Sequence, residues 1–394
     1  MDKKTRLIEN DPLPQPRRGR KGGDIWGARN PQLDRQNPDT IVPPETDHGT
    51  MPSLKFPYEL SHMRIQEGGW SREVTMREMP ESDTIAGVNM HLEPGAVREL
   101  HWHKEAEWAF MIKGSARVTA IDTDGGLFID DVEEGGLWYF PSGIPHSIKG
   151  LENGAEFVLV FDDGSFSENS TFSIADWFAH TPKDVLAANF GVPKETFDKF
   201  PDRELYMFQG EVPGPIVQEL PENPNKGVEN PFTFSFYDTE PVKTDGGTAR
   251  IVDSKNFTRS TTIAAALVEV EPGGIRELHW HPNEAEWQFY LEGQGRMTVF
   301  AATGKARTYD FREGDAGYVP FAMGHYIQNT GDTPLRFLEM FRSDHFAEIS
   351  LSRWMSQTPP SLLKEHLPLT DDFIRNHLHS DNRPVLKWEP TEGE

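Results

Sequence analysis

The sequence has no cysteine, which excludes disulfides, thiolate metal sites and cysteine nucleophiles. No apolar run approaches the ~18 residues of a membrane-spanning helix. Positive charge is scarce: 39 Lys and Arg face 63 Asp and Glu, a formal net charge of −24 over 394 residues. Such a surface repels phosphate backbones and anionic lipid, so neither a nucleic acid nor a membrane partner is expected. The first 22 residues are nevertheless basic, with Lys3, Lys4, Arg6, Arg17, Arg18, Arg20 and Lys21. A secretory or twin-arginine leader would continue with an apolar stretch of about 7–15 residues, and Gly22-Gly23-Asp24-Ile25-Trp26-Gly27 is not one. The basic start therefore reads as solvated, residues 1–54 are placed as an N-terminal arm, and the protein is expected to be cytoplasmic.

What the chain does have is a repeat. PGAVRELHWHKEAEWAFMIKGSARVT, from Pro94, returns as PGGIRELHWHPNEAEWQFYLEGQGRMT, from Pro272. Arg98-Glu99-Leu100-His101-Trp102-His103 matches Arg276-Glu277-Leu278-His279-Trp280-His281. After one inserted residue, Glu107-Trp108 matches Glu286-Trp287, Pro141 matches Pro320 and His146 matches His325. Self-similarity at this level marks a duplicated module.

Each copy alternates apolar and polar residues in short stretches, broken by glycines such as Gly114, Gly125-Gly126 and Gly135-Gly136. That pattern predicts an all-β sandwich or barrel of the jelly-roll kind. Short helices are expected after each module. Thr181 is the expected N-cap of one ending near Gly191, and Thr358-Pro359-Pro360 opens another. With a proline-rich linker at 211–231, the modules are placed at 55–230 and 231–394.

In His101-Trp102-His103, strand alternation turns both imidazoles to one face and the tryptophan to the other. Glu107 and the distant His146 complete a set of three imidazoles and one carboxylate, which suits a divalent first-row ion such as Mn, Fe or Zn. His279, His281, Glu286 and His325 repeat it. The inserted residue changes the parity of Glu286, so the Pro282-Asn283 turn must absorb it. Glu105 and Glu284 compete with Glu107 and Glu286 for the carboxylate role. Arg98 and Arg276 recur three residues before the first histidine, and guanidinium suits carboxylate recognition. Each pocket is thus expected to concentrate about two positive charges.

HxH, then three or four residues, Glu and a distant His, in a glycine-punctuated β-module, resembles the cupin metal motif. Two copies resemble a bicupin. The longer blocks PGAVRELHWHKEAEWAFMIKGSARV, WYFPSGIPHSI, FDDGSFSENSTF and GYVPFAMGHY resemble the bicupin oxalate decarboxylases, from about Asp34 nearly to the end. The resemblance implies one Mn(II) per module, two per chain. One would be held by His101, His103, Glu107 and His146, the other by His279, His281, Glu286 and His325. It implies oxalate as substrate, dioxygen as a co-catalyst without net redox change, and a homo-oligomer, trimer or hexamer. It also implies that Ser167-Glu168-Asn169-Ser170-Thr171 is an active-site lid, with Glu168 the general acid/base.

Removing one electron from bound oxalate weakens its C–C bond and releases CO2, after which the remainder needs an electron and a proton. Without the proton donor the remainder is oxidised further and peroxide appears, which is oxalate oxidase chemistry. A non-enzymatic storage or coat bicupin is the other alternative, although such proteins commonly lose the metal histidines. In module two Glu348 aligns with Glu168, but Ile349 replaces Asn169. Glu339, where module one has Leu159, resembles the family's second-site glutamate. Module two is expected to bind metal, with turnover chiefly at module one. Trp102 and Trp280 should face away from the metals, for packing or as an electron path between subunits.

Overall fold

The computed structural model describes residues 12–222 and 224–387. Lys3, Lys4 and Arg6 of the basic arm lie outside them. Tertiary contacts separate two units. One holds residues 60–239 and 252–264; the other holds the described residues up to Glu59, then 240–251 and those from Ala265 on.

Both units are antiparallel jelly rolls. In the first, the strands Glu107–Ile121 and His146–Phe161 run side by side as two long curved ribbons. The second ribbon pairs through Ala155–Phe161 with Ala86–Leu92, and through His146–Lys149 with Val97–Trp102, so it joins both layers of the roll. The other unit interrupts the same path. Gly293, at φ 85°, separates Glu286–Glu292 from Gln294–Ala301, and 330–334 separates Gly324–Asn329 from Leu335–Phe341. A seven-stranded and a six-stranded sheet result. Inward positions fill the first roll with Val88, Met90, Trp138, Phe140, Phe157 and Phe161, all essentially buried. The large aromatics contribute most per residue, since each removes ~150–250 Å² from water.

The boundaries differ from the sequence expectation because two segments are claimed by sheets. Thr233–Ser235, beyond the linker, pairs with Gly136–Phe140 of the first roll. Lys55–Pro57 adds a strand to Asp315–Val319 of the second. The arm is also less solvated than its composition suggests. The Asp39 amide donates to Asp310, and Asp47 accepts from Thr308, because polar groups at the edge of the second roll complete their hydrogen bonds with it. Its Arg17 and Arg18 do remain at the surface, in a two-residue hairpin.

The helices after each roll form where expected, with different caps. Lys183–Phe190 is preceded by Pro182 rather than Thr181 as N-cap, because the Thr181 hydroxyl donates back to Trp177; Gly191 closes the helix at φ 67°. Pro360–His366 likewise starts from Pro359. Among the described residues, no helix is long and apolar enough to cross a membrane.

Candidate active site

Each roll brings its three histidines and one glutamate together, with donor atoms all within 4.8 Å of one another and every side chain buried. Adjacent strands do this: His146 lies opposite His101, and His325 opposite His279. Glu107 and Glu286 occupy the inward carboxylate position. Glu105 contributes its backbone oxygen to His103, and Glu284 folds onto the Ala285 amide, so neither competes.

The imidazoles are set by backbone carbonyls. Nδ1 of His101, His103 and His146 meets the oxygens of Glu99, Glu105 and Ile144 at 2.5, 2.6 and 2.8 Å. A carbonyl only accepts, so each Nδ1 carries the proton and each Nε2 turns a lone pair inward. His279 and His325 bond Glu277 and Met323 in the same way. His281 departs from the pattern. The inserted residue displaces its local carbonyl, and its Nδ1 reaches Ala347 at 2.8 Å, beside Glu348.

The inward lone pairs crowd the carboxylates. His103 and His146 place Nε2 at 3.1 and 3.5 Å from Oε2 of Glu107; His281 and His325 place theirs at 3.0 and 2.9 Å from Oε2 of Glu286. Nε2 of His146, His279, His281 and His325 and Oε2 of Glu286 have no protein hydrogen-bond partner. Buried acceptors facing acceptors repel unless a cation lies between them, so the donor set fits a divalent ion. Burial, reinforced by Arg98 and by Arg276, holds His101 and His279 well below the usual imidazole range and keeps them neutral as ligands require.

Strand parity alone would turn Arg98 away from His101, three residues on. A β-bulge corrects this: Arg98 to His101 lies opposite only Ile148 to His146, and Arg276 to His279 opposite Ile327 to His325. The extra residue brings arginine and ligands to one face. Both arginines are almost wholly buried.

Here the pockets part. Arg98 stacks on Tyr206, with its carbon 4.3 Å from the ring centre, and lies 3.9 Å from the Glu168 carboxylate. Glu168 is buried; it accepts from the Tyr206 hydroxyl, and its backbone amide donates to Glu73 at 2.9 Å. Arg276 instead pairs with Glu339 at 2.9 Å and also with Glu348. Burial works against its charge, but the two carboxylates prevail and hold it firmly protonated. The expectation of two positive charges in each pocket is therefore corrected for the second, where two carboxylates outnumber the one guanidinium.

Tyr206 and Glu73 escape a sequence reading. Tyr206, at φ 57°, lies in an irregular stretch, and the matching carbonyl in the second roll belongs to Pro384. Glu99 did leave a signal, since it recurs as Glu277. Its carboxylate accepts from the amides of Ala175, Leu205 and Tyr206, tying the start of the helix Ile174–Ala179 and the Tyr206 segment to the ligand strand. Trp102 points outward, stacked on Phe172 and edge-on to Trp177, and Trp280 packs against Trp354.

Comparison with known proteins agrees with this architecture. The family model Cupin matches residues 60–198 and 234–374. An oxalate decarboxylase of Bacillus subtilis is 57% identical over 96% of this chain and 98% of its own length. A probable oxalate decarboxylase of Arthroderma benhamiae is 44% identical over 87% of this chain and 85% of its own. A solved structure of the Bacillus subtilis oxalate decarboxylase, concerned with its Mn(II) centres, superposes with a TM-score of 0.94 at 57% identity, over 96% of this chain and 100% of that one. Two jelly rolls, two His3Glu sets and near-full-length identity together make this chain a member of the bicupin oxalate decarboxylases of the cupin family.

Proposed function

We propose that this chain converts oxalate and one proton into formate and carbon dioxide, with manganese held by His101, His103, Glu107 and His146 and by His279, His281, Glu286 and His325. Manganese in such a set supplies Lewis acidity and a one-electron partner for dioxygen, the co-catalyst. The observation that carries the reading is the buried Glu168, hydrogen-bonded to Tyr206 and 3.9 Å from Arg98. Arg98 attracts and orients the dianion. The segment around Glu168 excludes water, and Glu168 delivers the proton to carbon once CO2 has left. The 57% identity to an oxalate decarboxylase supports this over an oxidase or a storage role.

Arg276 and Glu339 would serve the same chemistry in the second pocket. Their pairing, with Glu348 also on the arginine, supports a resident-metal role there and turnover chiefly at the first site. Exposed Phe172, Trp177 and Trp354 around the outward tryptophans support a homo-oligomer, trimer or hexamer.

The test is product analysis of the manganese-loaded protein with oxalate. One formate per oxalate with little peroxide is expected; peroxide matching oxalate consumption overturns the reading in favour of an oxidase. Glu168→Ala should lose formate production at least tenfold, and full retention removes Glu168 from the mechanism.

A further inference from the structure

A metal-binding carboxylate keeps its inward oxygen aimed only if something holds the outward one. Oε1 of Glu107 accepts from the Trp138 indole at 2.8 Å, and Oε1 of Glu286 accepts from the Gln288 amide at 2.7 Å. These donors do not correspond in the repeat. Trp138 comes from the neighbouring strand, whereas Gln288 sits two residues along the glutamate's own strand. Strand alternation puts Gln288 on the same face as Glu286.

The sheet register explains the exchange. Trp138 lies opposite Ala109, and Gln288 opposite Gly317. Ala109 and Gln288 are equivalent in the two modules, and so are Trp138 and Gly317. The bulky donor has moved to the other strand of the pair, and the vacated position has become small in both. The fit is close: a Cβ on Gly317 would fall 2.5 Å from Oε1 of Gln288. The next strand continues the row with Leu159 in one module and Glu339 in the other, so the first floor is apolar where the second is polar.

An amide can turn either way round, and here the surroundings choose. The Tyr290 hydroxyl donates to Oε1 of Gln288 at 2.9 Å, which directs the NH2 to Glu286. Burial holds that phenol protonated and a donor. The same NH2 reaches the Met297 sulfur at 3.6 Å. All three side chains are buried.

We propose that Gln288, oriented by Tyr290 and accommodated by Gly317, is the positioning residue for the second metal's glutamate, the part that Trp138 takes at the first. The inference rests on the metal reading above. Groups that orient ligands typically change metal affinity about 10–100-fold when removed.

The experiment measures manganese per chain, its affinity and the Mn(II) resonance spectrum for the wild type, Gln288→Ala and Tyr290→Phe. The wild type should hold two ions. Gln288→Ala should weaken one of them at least tenfold and alter only that ion's spectrum, and Tyr290→Phe should change the same ion less. A structural role alone would lower thermal stability and leave both spectra unchanged. Should Gln288→Ala fail to fold, Tyr290→Phe and Gly317→Ala carry the same comparison. Two ions of wild-type affinity and spectrum in the folded variants overturn the inference alone; fewer than two in the wild type overturns the metal reading beneath it.

Discussion

The Tyr206 hydroxyl donates a hydrogen bond to the Glu168 carboxylate, and Ser71 meets the same hydroxyl at 2.6 Å. The three side chains are buried together, so Glu168 has no bulk water to replace a lost partner. Tyr206→Phe keeps the ring under Arg98 and removes the hydroxyl's contacts to Glu168 and Ser71. An unmet buried polar group costs about 1–3 kcal/mol, so formate production should fall about tenfold. Peroxide per oxalate should rise as proton delivery slows. Assaying formate and peroxide together checks both; an unchanged ratio shows that Glu168 acts without the phenol.

Glu73 latches the same segment from its other side. One carboxylate oxygen accepts the Glu168 amide, and the other pairs with Arg77. Burial raises the Glu73 pKa and the adjacent Glu168 carboxylate adds to the rise, so the Glu168 amide and Arg77 must offset a real penalty. Glu73→Ala should speed hydrogen exchange at the amides of 168–171 and lower kcat several-fold, with the manganese content unchanged. Glu73→Gln keeps an acceptor and should lie between the two. Exchange mass spectrometry beside kinetics reads the effect.

The metal sets were legible because their signal is local and doubled: period-two histidines on a strand, a glutamate close behind, and a second copy of everything. Arg98 and Arg276 were legible only through recurrence. Parity argues against their inward position, and the bulge that brings them in has no residue signature. The contacts around Glu168 were not legible. Glu73 and Tyr206, the latter held by Ser71, converge on Glu168 from a strand and a loop far from it in sequence, and Tyr206 has no tyrosine counterpart in the second roll. Glu339 was named from its position, but its pairing with Arg276, joined by Glu348, cancels the expected positive charge of that pocket. The contacts of Asp39 and Asp47 were not legible for a related reason: composition shows charge, not the edge groups of the second roll that these residues meet.

Glu339 and Arg276 form the kind of pair that is harmful to break. Both are essentially inaccessible, and removing one partner of a buried pair costs about 3–5 kcal/mol. Glu339→Ala leaves Arg276 to Glu348 alone. Its unit should melt roughly 10 °C lower, since a domain of that size shifts by about 2–4 °C per kcal/mol. Formate production at a temperature where the variant is folded should fall less than twofold if turnover is at the first site. Calorimetry and assay separate the outcomes, and a tenfold loss in the folded variant would bring the second site into the chemistry.

The pH dependence of the metal-free protein follows from its buried imidazoles. Burial, with neighbouring cationic groups, pushes His101 and His279 well below their ordinary value, and burial also lowers His146. The unfolded chain gains protons on these residues as pH falls through about 6.5, while the folded chain does not. Stability is therefore full above that pH and declines below it, by about 1 kcal/mol per pH unit for each such histidine. His281 offsets part of this, because its Glu286 partner outweighs burial and raises its pKa. The unfolded chain takes up these protons whether or not an ion was bound, so the manganese-loaded protein declines over the same range from a higher start. Protons also compete with the ion at His281, whose pKa is raised, so the melting temperatures of the two forms should converge between pH 7 and pH 5, and manganese content after dialysis should drop over the same interval. Parallel curves with manganese retained would mean that no proton competes with the metal for these imidazoles.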